Sequence, residues 1–595
     1  MSGRVLPQEG RRELVEVAMG RKPADAVVSG GVLVNVNTAE TYEADIAISG
    51  QRIAAVGDVA HTVGEGTRRI DAGGRYVTPG LIDAHIHSYH SYLSVHAYVE
   101  GMLRHGITAV ADGFYGQGIV SGIEAIRWSK ETFERMPMRL LFVVPVMSYI
   151  QNRELGLTPV ESISVEDMHE MLRWEDCLGM EEPPFLVLEH GFDEIYGLFE
   201  ESLRLRKVIT GHAAGLTDRQ LQAYIAMGAA TDHEMVTAAE GVDRARAGMR
   251  LLVRGGSGCN DLPAVLPAYT RDGIDPRSIS FCTDVLSPEK LVGGGGVLQM
   301  LRDSIASGVE PVTAVQMATI NAAEVFNMEL EIGAVAPGRL ADFLFVDDLE
   351  RFEISSVFVG GVERVRDDRL VEELPPVDYP AEFRSTVQLA APVTAEDLRV
   401  PVPAQPKTTI RVIGVTDGSL FTKERHVELP TEDGVLRASL EDDVLPIVMV
   451  DRHGKGTGIG HAFVQGIGLK RGAIASSVNS VCENLVVVGV DEDDMALAVN
   501  RLAEIGGGQI VVAGGEVLAT IELPIFGMLS EDPLDVVTKK FDAAFAAIRG
   551  LGCELDSPFS TLEFCCACGE IGDIRLSEEG LMIVETSSRV DLVVG

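Results

Sequence analysis

The sequence predicts an α/β protein organised around a TIM-like (β/α)8 barrel, with a small β domain beside it and a further α/β unit after it. Three observations point there. At 595 residues the chain is too long for one hydrophobic core. Between about residues 77 and 332, apolar runs alternate with amphipathic stretches. Ile107–Ala111, Leu140–Val146, Lys207–Thr210, Ala229–Thr231, Leu251–Val253 and Ser280–Cys282 are each followed by a helical pattern, the alternation of a parallel barrel. Finally, histidines and carboxylates fall just past several of these runs, at the strand ends where such barrels carry their chemistry.

The elements follow in order. Residues 12–24 read as a short amphipathic helix stopped by Gly20 and Pro23. Short β segments come next, at Ala26–Val28, Gly31–Asn37, Ala44–Ser49, Arg52–Val56 and Arg69–Ala72. Glycine or polar turns separate them, as in a small β-sandwich or barrel. β character returns after the barrel, in Phe343–Val346 and Val357–Val365, behind the turn Pro337-Gly338-Arg339-Leu340-Ala341-Asp342. A proline-rich link over residues 373–406 then leads into a last unit, residues 407–595.

Composition excludes several classes of function. No apolar run reaches 18 residues and the N-terminus carries no signal-type apolar segment, so a soluble cytoplasmic protein is expected. A formal net charge of −39 opposes a nucleic-acid or anionic-membrane partner. Eight cysteines in so long a chain make no disulfide framework. Cys565, Cys566 and Cys568 lack C-x2-C spacing and read as buried strand thiols. Gly506-Gly507-Gly508 has no following Lys-Ser/Thr, so it is not a phosphate loop. Gly293–Gly296 reads as a flexible loop after the Asp284 strand, either a lid or, at least as readily, a plain connection.

The chemistry centres on Pro79-Gly80-Leu81-Ile82-Asp83-Ala84-His85-Ile86-His87. In an extended chain, residues i and i+2 face the same side, so His85 and His87 project together. Two imidazoles so placed make half of a Zn, Fe or Mn site. His212, His233 and Asp284 follow at the ends of later apolar runs. On a middle strand Glu181 and Glu189 compete for the place of a bridging carboxylate, with no suitable lysine there. His90 and His96 flank the first histidine pair and take surface or supporting roles.

The Pro-Gly-Leu-Ile-Asp-Ala-His-Ile-His stretch resembles the first-strand signature of the amidohydrolase superfamily. Gly211-His212-Ala213-Ala214-Gly215, Thr231-Asp232-His233-Glu234, Cys282-Thr283-Asp284 and Met317–Ala323 further resemble the bacterial adenine deaminase family. So do Asp451-Arg452-His453-Gly454, Gly466–Ser477 and Leu523–Ser530 beyond the barrel. The resemblance implies that residues 1–76 and 333–372 form one discontinuous β-sandwich domain around the barrel (77–332), and that residues 407–595 are the family's C-terminal domain. It implies a binuclear ligand set of His85, His87, Glu181, His212, His233 and Asp284, with Glu181 preferred over Glu189 by its spacing to the Gly-His segment. Mn2+ or Fe2+ suits this mixture of imidazole and carboxylate, and Zn2+ is a third choice. Such a centre would activate water, Asp284 would move its proton, and Glu234 would protonate a ring nitrogen. The implied reaction is hydrolysis of adenine to hypoxanthine and ammonia, in a homo-oligomer.

The chain departs from the family pattern in four places. Ile-Glu-Ser-Ser becomes Ser88-Tyr89-His90-Ser91, and Asp-Pro-His-Glu becomes Asp112-Gly113-Phe114-Tyr115. Arg-Glu-Gly-Ser becomes Arg254-Gly255-Gly256-Ser257, and His-Asp-Ser-His-Asn becomes Ser480-Val481-Cys482-Glu483-Asn484. Tyr89, Asp112, Phe114 and Arg254 are therefore the expected substrate-contacting residues. Another aminated heterocycle or a cyclic amide is the rival substrate. A non-catalytic scaffold is a weaker rival, since all six expected ligands are present.

Overall fold

Eight parallel strands follow one another around the barrel: β1 (Leu81–Asp83), β2 (Ile107–Asp112), β3 (Arg139–Pro145), β4 (Gly179–Pro184), β5 (Val208–His212), β6 (Thr231–Asp232), β7 (Arg250–Arg254) and β8 (Ile279–Cys282). The computed structural model describes residues 8–146, 163–185, 193–566 and 572–594, less positions 385, 404, 420, 455, 457, 480, 481 and 587. Each strand pairs in parallel with the next. The ring closes where β1 runs on past its end: Ala84 N donates to Phe281 O at 3.2 Å, and His87 N to Asp284 O at 2.8 Å. Ile86 bridges Asp284 in parallel. Most of these strands are buried along their whole length, which is why they read as continuous apolar runs rather than alternating ones.

The strands differ from expectation mainly at their ends. β5 extends to His212 itself, and β6 is only two residues long. Both run one or two residues further toward the rim than their apolar runs: His212 N donates to the Tyr224 hydroxyl at 2.9 Å, and Asp232 pairs with Leu251. The first helix spans Gln8–Ala18, earlier than residues 12–24. It stops there because Gly20 takes φ 68°, and a Cβ at that position would lie 2.9 Å from the His61 carbonyl oxygen.

Beside the barrel lie two β layers. One is a four-stranded sheet in the order Arg52–Gly57, Asp45–Ser49, Ala26–Ser29, Arg68–Asp71. The other has seven strands and combines both ends of the barrel segment. Phe343–Val346 pairs antiparallel with Tyr76–Pro79, with Phe343 opposite Pro79 and Val346 opposite Tyr76. Stacked Phe343 and Phe358, with centroids 4.5 Å apart, pack in the core between the sheets.

The last unit is built on a nine-stranded sheet whose central strands, Val444–Val450, Leu485–Gly489, Ala473–Ser476 and Gly508–Ala513, are fully buried. It touches the barrel near the metal strand. Ser530 N donates to Tyr92 O at 2.8 Å, and the Tyr92 and Phe541 rings stack 5.3 Å apart. Cys565 and Cys566 are buried as expected, but just after the helix Pro558–Glu563 rather than in a strand. Cys568 lies outside the described residues. Gly293–Gly296 joins the helices Pro288–Val292 and Val297–Ala306. Among the described residues no helix is long and apolar enough to cross a membrane.

Candidate metal centre and active site

The histidines meet at the C-terminal rim of the barrel. His85 and His87 leave the end of β1 with their rings 4.8 Å apart. His85 stacks on His233 at 4.3 Å, and His212 lies 5.5 Å from His233. All four are buried; His87, the most open, is 8% exposed.

Three sets of ligand atoms lie within 4.8 Å of one another: His85, Glu182 and His233; His85, His87 and Asp284; and His212, His233 and Glu234. Six imidazole nitrogens here make no hydrogen bond: His85 Nε2, His87 Nδ1, and both ring nitrogens of His212 and of His233. Carboxylates of the cluster stand near several of them without hydrogen-bond geometry, and buried nitrogens in this state are costly and uncommon in a folded protein. Imidazole and carboxylate donors left in this state fit divalent cations.

On the middle strand the expected Glu181 is joined by a neighbour, Glu182, that reaches the imidazoles more closely: its oxygens lie 3.3 Å from His85 Nε2, 3.2 Å from His87 Nε2, 3.0 Å from His233 Nε2 and 3.7 Å from His212 Nδ1. Glu181 approaches only His85, at 3.9 Å from Nδ1. Its carboxylate instead lodges against Gly113, where any Cβ would strike it. The reason is local. The β4–β5 pairing shifts register between Glu181 and Pro184, and Glu182 takes φ 54°. That irregularity turns the second glutamate inward. No strand-alternation rule reads it from Gly-Met-Glu-Glu-Pro-Pro. Burial drives the Glu181 pKa well up, and the neighbouring Glu182 charge adds to this. Burial would raise Glu182 as well, but His87 and His85 outweigh it and hold its carboxylate well below the ordinary range. Glu189 lies outside the described residues.

Asp284 stands just past β8 in a left-handed conformation, φ 62°, held by Asp284 N donating to His85 O at 2.9 Å. Its carboxylate lies 3.6 Å from His87 Nε2 and 3.9 Å from His85 Nε2. Asp83 braces the same turn. Its oxygens accept from Thr283 N at 3.0 Å and from the Thr283 hydroxyl at 2.5 Å. Across the site Asp232 ties the ends of β5 and β6 together. It accepts from Ala213 N at 2.9 Å and Glu234 N at 3.0 Å, and it pairs with buried Arg244.

Arg254 behaves differently from a plain substrate contact. Fully buried, it donates from Nη1 to Glu234 at 2.7 Å and Asp284 at 3.3 Å, and from Nε to Asp261 at 2.8 Å. It thus aligns the two candidate catalytic carboxylates. Glu234 would be pushed up by burial, but Arg254 and the imidazoles of His212 and His233 carry its pKa well below the usual range. In this setting it is held as a carboxylate.

Asp112 and Phe114 also act as braces. Asp112 accepts from Phe114 N at 2.8 Å and Ser88 N at 3.3 Å, joining the loops after β1 and β2, while Phe114 packs on Phe133. Tyr89 does face the metal strand, with its ring 6.3 Å from His87. Two neighbours were not singled out from sequence: Tyr115, 5.4 Å from His87, and Glu483 of the last unit, which faces Tyr89. The signal was available for both, since each falls in a stretch that departs from the family pattern.

Residues 76–364 match the amidohydrolase family, and residues 419–588 match the adenine deaminase C-terminal domain. Over nearly the whole chain the sequence is similar to curated adenine deaminases. It is 36% identical to that of Mesorhizobium japonicum, over 98% of this chain and 96% of the relative. It is 36% identical to that of Moorella thermoacetica, over 99% and 98%, and 34% identical to one from Clostridium botulinum, over 96% of both. The chain belongs to the adenine deaminase family. It is a hydrolase of the amidohydrolase type, a family that implies a divalent metal, and its rim of imidazoles and carboxylates offers candidate ligands for one.

Proposed function

We propose that this protein hydrolyses adenine to hypoxanthine and ammonia. The observation that carries this reading is the rim cluster of four imidazoles, Glu182, Glu234 and Asp284, set in a chain related over almost its whole length to adenine deaminases. His85, His87, His212, His233, Asp284 and Glu182 would hold the metals, with Glu181 behind them. Mn2+ or Fe2+ best suits this donor set. When bound, the cations supply Lewis acidity and a water made acidic enough to attack at neutral pH.

The chain's own residues handle the protons. Water adds to the amino-bearing ring carbon, and the carbon–nitrogen bond to the exocyclic amine breaks. Asp284 accepts one water proton and passes it to the leaving nitrogen, which departs as ammonia. Glu234, ionised beside Arg254, accepts the other and passes it to the adjacent ring nitrogen. Arg254 bridges the two carboxylates and keeps both aimed at the same small volume.

The test is ammonia release from adenine by protein loaded with Mn2+ in iron-depleted medium. Adenine-dependent turnover, lost in Asp284→Asn, supports the reading. A metal-loaded protein inert toward adenine but active on another aminated heterocycle or a cyclic amide sinks it. That second reading has one observation in its favour: Tyr89 and Tyr115 stand beside His87 where the family pattern has glutamates.

A further inference from the structure

Two of the four stretches that depart from the family pattern meet beside His87, and a third reaches the first of them. Residues 88–91 supply Tyr89, residues 112–115 supply Tyr115 and residues 480–484 supply Glu483. The Tyr89 and Tyr115 rings are nearly parallel, at 7° with centroids 6.3 Å apart, and both lie next to the His87 ring. Gly116 leaves room for this arrangement, since a Cβ there would lie 2.9 Å from the Tyr89 ring and 3.0 Å from Met528 Sδ. Tyr89 is therefore held between the barrel and the last unit. Its hydroxyl faces the Glu483 carboxyl closely enough for each to move the other's proton affinity.

Glu483 is held as a functional group would be. It is wholly buried and adopts φ 50°, a conformation that disfavours a long side chain. Asn479 N donates to Oε2 at 3.3 Å and the Tyr89 hydroxyl stands against the carboxyl, while Oε1 makes no hydrogen bond of good geometry. The nearby Glu563 contrasts with it, receiving hydrogen bonds from the Tyr92 hydroxyl at 3.0 Å, Gln509 Nε2 at 3.0 Å and the Ser476 hydroxyl at 3.1 Å. A buried carboxyl oxygen left without a donor costs about 1–3 kcal/mol unless a ligand or water completes it. Burial also pushes Glu483 up to about 8, opposed by Arg452, so its carboxyl can give or take a hydrogen bond near neutral pH.

We propose that Glu483, from the C-terminal unit, determines substrate specificity in the barrel's site: it positions Tyr89 beside His87 and offers Oε1 to a nitrogen-bearing edge of the heterocycle. The family pattern places carboxylates on the barrel at the positions of Tyr89 and Tyr115 and a histidine at that of Glu483. Here the acidic group is carried by the C-terminal unit. This rests on the hydrolytic reading above.

The test compares wild type, Glu483→Gln, Tyr89→Phe and the double variant, all Mn2+-loaded, on adenine, 2,6-diaminopurine and N6-methyladenine. Glu483→Gln is expected to raise KM for the best of these about tenfold, with kcat within about threefold. The order of kcat/KM among the three should shift by a similar factor. Tyr89→Phe should reproduce the change, and the double variant should be no worse than either single one. Metal content and thermal midpoint should match wild type in all three. Unchanged KM and substrate order in Glu483→Gln would overturn the proposal, as would loss of metal or of the folded state, which would make Glu483 structural. A wild type that releases ammonia from none of the three would instead overturn the reading beneath it, and this proposal with it.

Discussion

Two buried polar centres in this protein are built on opposite principles. At the barrel rim, six imidazole nitrogens make no hydrogen bond, and carboxylates crowd among them. In the last unit, Arg452 is equally buried, but its Nη1 donates to the carbonyls of Ser477 at 3.0 Å and Gly527 at 3.3 Å, and its Nη2 to that of Phe526 at 2.9 Å. Its backbone N donates to Asn484 Oδ1 at 3.1 Å. The second centre carries its own cation and stitches loops together, leaving of its guanidinium nitrogens just Nε without a hydrogen bond. The first holds donors arranged for cations that the chain does not encode. Family-like motifs mark both, so the motif alone does not separate chemistry from architecture. The state of the buried polar atoms does.

This contrast can be broken by substitution at either centre. The largest effect is expected at the rim. Asp284→Asn should lower kcat on adenine by about 10³-fold or more, read by ammonia release, because it removes the proton carrier. Next, Glu182→Gln should weaken metal binding by about 10- to 100-fold, measured as equivalents retained on dialysis against a graded chelator. Glu181→Gln should do so less. The reverse order would restore Glu181 as the bridging carboxylate.

At the structural centre, Arg452→Met should destabilise by about 3 kcal/mol in denaturant unfolding, by stranding three buried carbonyls. Metal content per folded molecule should stay at the wild-type value. A loss of metal without a loss of stability would erase the distinction between the two centres.

The smallest effect concerns Glu563. Burial raises its carboxyl from the ordinary 4.5 to about 8, against the hydrogen bonds from Tyr92, Ser476 and Gln509. The folded state then binds more protons than the unfolded chain between about pH 4.5 and pH 8. Stability from this group is complete below that window and falls as pH rises through it, by at most about 1.4 kcal/mol per pH unit. Glu563→Gln should flatten the fall and gain on wild type above pH 8, measured as thermal midpoint against pH. His90, 3.5 Å from Glu563 and held down to about 3 by burial, is neutral in the folded state across the window, so its titration in the unfolded chain opposes the fall up to about pH 6.5 and leaves it clearest between there and pH 8.

Much of the fold was legible because the parallel strands are buried on both faces, so each appears as an unbroken apolar run with its polar residue at the end. His85, His87, His212, His233 and Asp284 were readable for the same reason. Glu182 was not, since a register shift and a left-handed φ turn it inward, and alternation along a strand gives no sign of either. Arg254 was legible as important, but its role was not. Its partners Glu234, Asp261 and Asp284 are 20, 7 and 30 residues away in sequence, and only the closed ring brings them together. Glu483 was more distant still, because its meeting with Tyr89 depends on how the last unit docks beside β1.

The most direct measurement is ammonia release from adenine before chelation, after chelation, and after Mn2+ is restored. The expected result is rapid adenine-dependent release that disappears with the metal and returns with it. Full metal occupancy on restoration with no ammonia from adenine would contradict the proposed function and shift attention to Tyr89, Tyr115 and Glu483.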